Sequence, residues 1–258
     1  MAMEVGEKIE AAAVEFGYPA QVRPGTTRVG WIGIGVMGGA MAGRLLAAGY
    51  AVTAYARTPA KADYLVAAAA RAAGCHAVDA PVSGGDVGAR DGTLALLAGG
   101  DEAVVAWLAP LFAHLGRPTY MGPPGSGQSS KIANQIAVAG AVVGLSESLA
   151  FADAARLDAR LFLGAVSKGA AGSRVMDLFG DRVLSRDFAT GGAVRYMIKD
   201  LGMALEVGDG QEHEKEASVL PGAALNRQML SAMVANGDGD LCLQGLITVV
   251  ERLNGIRK

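Results

Sequence analysis

Gly33-Ile34-Gly35-Val36-Met37-Gly38 spells G-x-G-x-x-G, and its setting constrains this chain more than any other feature. Arg28 to Gly33 reads as a buried strand, Met37 to Ala48 as a helix closed by Gly49, and Ala51 to Ala56 as a second strand. Two strands joined through a helix run parallel, so this is a βαβ unit. One glycine permits the tight turn, one lets backbone approach a pyrophosphate, and one allows close packing of helix on strand. The helix start then offers the phosphates its free N–H groups and positive dipole end. The bland reading is a glycine-rich turn in a plain α/β domain. The context favours a dinucleotide site built from Gly33, Ile34, Gly35, Val36, Met37 and Gly38.

The end of the second strand bears on the cofactor. An NAD site usually places a carboxylate there for the ribose hydroxyls. This chain has Ala56-Arg57-Thr58 and then Lys61. A guanidinium pairs with a 2′-phosphate through two hydrogen bonds. NADP held by Arg57 and Thr58 is therefore expected, with NAD as the alternative. A solvated Arg57 at a strand end is the competing reading.

Further on, Ala60 to Ala73 reads as a helix, His76 to Pro81 as a third strand and Thr93 to Ala98 as a fourth. Asp101 to Leu115 reads as a helix and Pro118 to Met121 as a fifth strand. Such alternation implies a parallel or mixed sheet. GPPGSG at 122–127 is a breaker cluster, after which the strand signal fades. Ser130 to Leu157, Ala159 to Ser167, Val194 to Val207, Ala223 to Asn236 and Cys242 to Leu253 read as helices. The expected fold is α/β: a tail at 1–26, an incomplete Rossmann-type NAD(P)-binding domain at 27–122, and an all-α domain at 123–258.

Composition narrows the function classes. Apolar residues are 51% and charged residues 19% of the 258, enough for a sizeable core. A net charge of −2 without basic excess argues against nucleic acid as a partner. Cys75 and Cys242 are too few for a disulfide framework, and His76, His114 and His213 lack ligand spacing, so no metal is expected. Longer apolar runs are broken by Gly, Asn or charge, and no membrane span is expected. Residues 1–27 hold Glu4, Glu7, Glu10 and Glu15, whereas a mitochondrial transit peptide is Arg-rich and poor in acids. The expected location is the cytoplasm, with mitochondrion or plastid as alternatives.

Lys131, Asn134 and Gln135 stand at i, i+3 and i+4 in an otherwise apolar helical run, on one face. Burying a Lys and two amides costs several kcal/mol unless they are paired or used. A site-facing Lys can pass a proton; an exposed helical turn with Lys131 solvated fits the spacing equally well. GPPGSGQSSK is not a P-loop, because three residues separate its last Gly from Lys131.

Four patches in this order resemble the β-hydroxyacid dehydrogenases, the family that includes 3-hydroxyisobutyrate dehydrogenase and plant glyoxylate/succinic semialdehyde reductases. They are GIGVMG at 33–38, DAPVSGG at 79–85, Gly125-Ser126-Gly127 leading to Lys131, Asn134 and Gln135, and Lys199-Asp200-Leu201. The resemblance implies Lys131 as general acid/base. Ser83, Gly84 and Gly85 would hold a substrate carboxylate, Asn134 or Gln135 its oxygens, and Lys199 would lie over the cofactor. The family usually has Asn where Gln135 stands. The implied reaction is NADP-linked interconversion of a small 3-hydroxy acid with its aldehyde or keto acid. The apolar helical faces suggest a homo-oligomer.

Only Pro59 to Cys75 separates the second strand from DAPVSGG. A full dinucleotide fold needs further strand–helix units there, at roughly 30 residues each. Their absence leaves the first strand's edge exposed, or requires the HAVDA segment to pair with it. It also leaves the nicotinamide half of the site incomplete. The expectation is impaired turnover, and the alternative function is an NADP-binding or oligomerisation module without catalysis.

Overall fold

A computed structural model of the chain describes residues 22–32, 36–55, 76–189, 191–208 and 218–256. The chain divides into two compact units, Met1–Lys131 and Ile132–Lys258.

In the first unit, β1 (Arg28–Ile32), α1 (Val36–Ala47) and β2 (Ala51–Tyr55) form the expected βαβ unit. The strands are parallel, with Arg28 opposite Ala51 and Ile32 opposite Tyr55. Gly49 ends α1 at φ +87°, the left-handed position that glycine occupies without strain. The helix expected at Ala60 to Ala73 lies outside the described residues.

A second, separate sheet has the order β3-β4-β5: β3 (Val82–Ser83), β4 (Leu94–Gly99) and β5 (Gly116–Gly122). β4 and β5 are parallel, whereas β3 is antiparallel to β4. This corrects the expected strand at His76 to Pro81, whose pairing is displaced toward the C-terminus. Asp79 bridges Gly99, the Leu97 N–H donates to the Pro81 carbonyl at 2.9 Å, Val82 faces Leu96 and Ser83 faces Ala95. These pairs share one antiparallel register, broken where Pro81 lacks an N–H to give. Among the described residues, HAVDA does not pair with β1, and β1 pairs with β2 alone.

Two local features escaped the sequence reading. α2 (Gly85–Asp91) follows β3 directly, opening beside Gly84 and closing on Gly92, at φ +134° and +68°. The expected helix from Asp101 to Leu115 divides into α3 (Glu102–Trp107) and α4 (Ala109–Phe112), because Pro110 removes an N–H and starts a new turn. Asp101 caps α3 by accepting from the Ala103 and Val104 N–H groups.

Arg44 of α1 ties the two sheets' surroundings together. Its Nε donates to the His114 carbonyl at 2.6 Å and its Nη1 to the Arg90 carbonyl at 2.9 Å. Leu45, Tyr50, Leu94, Leu96 and Leu115 fill one apolar cluster beneath. Val22 joins it at 2% exposure, whereas residues 23–26 are exposed.

α5 (Ser126–Ala154) is a single helix that runs through the division between the units. It starts inside the breaker cluster, at Ser126 rather than Ser130. It is long and apolar enough to cross a membrane, which the sequence did not lead one to expect, and 44% of its most apolar stretch is buried within the protein. The second unit adds α6 (Ala159–Val166), α7 (Arg174–Leu184), α8 (Val194–Gly208), α9 (Pro221–Ala235), a 3₁₀ turn (Leu243–Leu246) and α10 (Ile247–Leu253). α7 was not expected; Ser173 caps it, and Val175, Met176, Gly180 and Val183 bury one face. Leu201, Leu230, Met233 and Leu246 are fully buried in the core of this unit.

Candidate active site

In the first unit, DAPVSGG and the start of α5 are held together by one side chain. Asp79 Oδ1 accepts the Gly125 N–H at 2.8 Å, and its Oδ2 accepts the Gln128 N–H at 2.9 Å. The Asp79 backbone is fixed as well: its N–H donates to the Gly99 carbonyl at 3.0 Å and its carbonyl accepts the Gly99 N–H at 2.7 Å. Gly99 and Gly127 make this convergence possible. A β-carbon on Gly99 would lie 2.6 Å from the Gly127 nitrogen and 2.7 Å from Asp79 Oδ1. One on Gly127 would press into the Leu97 and Asp79 carbonyl oxygens.

Lys131 is half-buried in the second turn of α5. Ser83 is half-buried at the end of β3, and Gly84 and Gly85 follow at φ +134° and +65°. Side chains rarely adopt either value, and a β-carbon on Gly84 would meet the Leu94 side chain at 3.2 Å. Ser83, Gly84 and Gly85 thus lead into the start of α2, where the first N–H groups lack intrahelical partners.

In the second unit, the amides of α5 form a chain of hydrogen bonds. Asn134 Nδ2 donates to Gln135 Oε1 at 2.9 Å, and Gln135 Nε2 donates to Asp200 Oδ2 at 2.8 Å. Asp200 Oδ1 pairs with Lys199 Nζ at 3.0 Å; the Lys199 side chain is 59% exposed and that of Asp200 13%. Both ends of the Gln135 amide are therefore engaged, which meets the cost of half-burying it. Asp79 and Asp200 were not singled out from sequence. One signal for the first was legible: the residue before α5 is Gly125, which has no side chain to cap the helix.

The dinucleotide fingerprint is described in part. Val36, Met37 and Gly38 form the first turn of α1, which begins four residues after the last residue of β1. That turn holds no acidic residue to oppose a phosphate. A parallel βαβ unit with this helix start fits an adenine dinucleotide. Gly33, Ile34, Gly35, Arg57 and Thr58 lie outside the described residues. Among the described residues, no group of three or more His, Cys, Asp or Glu side chains is arranged to hold a metal.

Comparison with known proteins bears on both units. Residues 125–250 match the family model for the NAD-binding domain of NADP-dependent 3-hydroxyisobutyrate dehydrogenase. Residues 28–73 and 65–122 match, in two pieces, the NAD-binding domain of 6-phosphogluconate dehydrogenase. A probable 3-hydroxyisobutyrate dehydrogenase-like 3, mitochondrial, of Arabidopsis thaliana is 42% identical over 94% of this chain and 93% of its own length. The chain belongs to the 3-hydroxyisobutyrate dehydrogenase-like family. Its members here are dehydrogenases and reductases of hydroxy acids, and it carries their NAD(P)-binding segments.

The same alignment shows that this family member lacks a stretch. It runs over 307 positions, more than the 258 residues of the chain, so the Arabidopsis relative carries a stretch without counterpart here. The 6-phosphogluconate dehydrogenase model changes from one matched piece to the other at 65–73, between β2 and DAPVSGG, where the sequence places the interruption. The 2-hydroxy-3-oxopropionate reductase of Escherichia coli K12 is 39% identical over 67% of this chain and 59% of its own length. Among solved structures, 3-hydroxyisobutyrate dehydrogenase of Salmonella typhimurium has a TM-score of 0.74 at 21% identity, covering 86% of this chain and 99% of that one. Psf3 in complex with NADP+ and 2-OPP has a TM-score of 0.73 at 20% identity, over 86% and 99% of the two chains. At such identities they show the fold: a Rossmann-type domain followed by an all-α domain.

Proposed function

We propose that this family member is an NADP-linked oxidoreductase interconverting a small 3-hydroxy acid and its aldehyde or keto acid. The reading rests on the Asp79 bridge, which joins the segment bearing Ser83, Gly84 and Gly85 to the helix bearing Lys131. Lys131 is the general acid/base at the substrate oxygen: it gives a proton to the carbonyl during reduction and takes one from the hydroxyl during oxidation. The Ser83 hydroxyl and the Gly84 and Gly85 N–H groups bind the substrate carboxylate. Asn134 contacts the substrate oxygens, and Gln135, anchored on Asp200, orients it. A bound nicotinamide supplies or accepts the hydride. Gly33, Ile34, Gly35, Val36, Met37 and Gly38 would hold its pyrophosphate, Arg57 and Thr58 the 2′-phosphate, with Lys199 alongside.

The test is purified protein with NADPH and glyoxylate or succinic semialdehyde, and with NADP+ and 3-hydroxyisobutyrate. Turnover with at least one pair, faster than with NADH or NAD+, is the expected result; faster turnover with the unphosphorylated cofactor would reassign Arg57.

A second reading is favoured by the separate sheets and the absent stretch: an NADP-binding or oligomerisation module with impaired catalysis. NADPH fluorescence titration beside the turnover assay separates the two, since binding without turnover supports the module. The exposed Phe151, Leu157 and Leu161 support a homo-oligomer through the helical unit; a clean monomer by light scattering opposes it. Three Arabidopsis relatives carry "mitochondrial" in their names, which supports the mitochondrion over the expected cytoplasm. Fractionation of the cells decides that point.

A further inference from the structure

We propose that Asp79 is the positioning residue that sets Lys131 against the substrate-carboxylate loop; this rests on the role given to Lys131 above. A helix start has N–H groups in need of acceptors, and the best cap is a side chain just before the first turn. Gly125 holds that place in α5 and has none. Asp79, 46 residues earlier than Gly125, supplies both carboxylate oxygens instead.

The same residue is bonded through its N–H and carbonyl to Gly99 of β4, so it cannot shift without disrupting the sheet edge. Gly99 and Gly127 let the three segments approach this closely, since a β-carbon at either would clash. The first turn of α5 is thereby fixed to the floor of β4. Lys131 stands three residues past Gln128, about 4.5 Å along the helix axis. Ser83 stands four residues past Asp79 on the same paired segment. One carboxylate thus sets the spacing between the proton donor and the group that holds the substrate. The two bonds call for two acceptors. Asparagine offers one acceptor and one donor, so its amide would face one of the two N–H groups with a donor of its own.

The experiment compares Asp79→Asn with Asp158→Asn in the full chain. Asp158 caps α6 through Oδ1 alone, which accepts from the Arg160 and Leu161 N–H groups and which asparagine keeps; it has no place in the candidate site. D79N, which loses an acceptor, is expected to lower the Tm more than D158N, which keeps its accepting oxygen. Only D79N should lower kcat, by roughly 10- to 100-fold for a misplacement on the order of 1 Å, with the KM for aldehyde and the NADPH affinity within about threefold of wild type. Equal kcat in D79N and wild type overturns the proposal.

A second readout needs no turnover. Lysines are reductively methylated with ¹³C, and the Lys131 signal is assigned by its loss in Lys131→Arg. That signal should move in D79N and stay in D158N; an unmoved signal overturns the proposal. If wild type shows no turnover yet the signal moves, the positioning role stands and the catalytic reading fails. Where D79N does not fold, Asp79→Glu, which keeps both acceptors and the charge, is measured by the same two readouts.

Discussion

The two units of this chain respond differently to a missing piece. The helical unit matches its family model in one unbroken run over 125–250, and Leu201, Leu230, Met233 and Leu246 close its core completely. The α/β unit matches in two pieces, and its described strands lie in two sheets where a Rossmann-type domain has one. Sheets differ from bundles in how they take a loss. A parallel strand reaches its neighbour only through its own crossover, so removing strand–helix units parts the sheet instead of shortening it. Besides the shared apolar cluster, side chains join the pieces: Arg44 links α1 to the end of α2 and the turn at His114, and Asp79 links the second sheet to α5. Chemistry-bearing loops can keep their local geometry after the sheet has lost its continuity.

The sharpest way to break this comparison is to ask whether the α/β unit still serves catalysis. Lys131→Ala is expected to reduce kcat/KM by roughly 10²- to 10⁴-fold, the usual contribution of a positioned proton donor. NADPH affinity, measured by fluorescence titration, is expected to stay within about twofold. Unchanged rates remove Lys131 from its role, and the α/β unit would then be a binding surface only.

The next test asks whether the units unfold separately. Both tryptophans, Trp31 and Trp107, lie in the α/β unit, so fluorescence reports that unit, whereas far-ultraviolet circular dichroism is dominated by the helical one. Leu230→Ala empties a fully buried position in α9 and should cost about 2–5 kcal/mol. In urea, the dichroism transition should move to lower denaturant while the fluorescence transition stays. Movement of both together would show one cooperative body and end the contrast.

Much of this difference was legible in the sequence. The glycine turn between two apolar runs located the βαβ unit because backbone freedom, helix period and crossover length all agree there. The helices of the second unit followed from apolar periodicity. What escaped has physical reasons. Asp79 to Ser83 pairs antiparallel along an edge, and Pro81 hides the alternation by which a strand is recognised. α7 is rich in charge, so its buried stripe of Val175, Met176, Gly180 and Val183 is diluted. Asp79 and Asp200 serve partners 46 and 65 residues away, and no local pattern records such pairings. In the site, the types at Lys131, Ser83, Gly84 and Gly85 were readable, whereas the amide chain from Asn134 to Asp200 emerged only with the fold.

Arg44 tests whether side chains have replaced strand pairing. Arg44→Ala leaves the His114 and Arg90 carbonyls without their charged donor. The expected cost is about 1–3 kcal/mol, seen in the fluorescence transition and absent from the dichroism one. A shift below about 0.5 kcal/mol would mean that the apolar cluster alone joins the sheets.

Acid sensitivity gives the smallest and most local comparison, because each unit holds a carboxylate with a lowered pKa. Asp187, after α7, is held down first by its hydrogen bond from Arg182 at 2.8 Å and then by the Ala189 N–H at 3.1 Å. Burial works to raise Asp86 in α2, but the hydrogen bond and charge of Arg90 outweigh it. A carboxyl with a lower pKa folded than unfolded adds stability that is fully present above the unfolded value, about 3.9. That stability fades as pH falls through the folded value. Asp187→Asn should therefore lower the dichroism Tm at about pH 6, and Asp86→Asn the fluorescence Tm, with both differences closing toward about pH 2–3. A difference that persists unchanged in acid would show that the asparagine disturbs packing, and that the ion pair is not what the variant removed. Should D86N instead move the dichroism transition, the two units would share their stability, and the missing stretch would be felt throughout the chain.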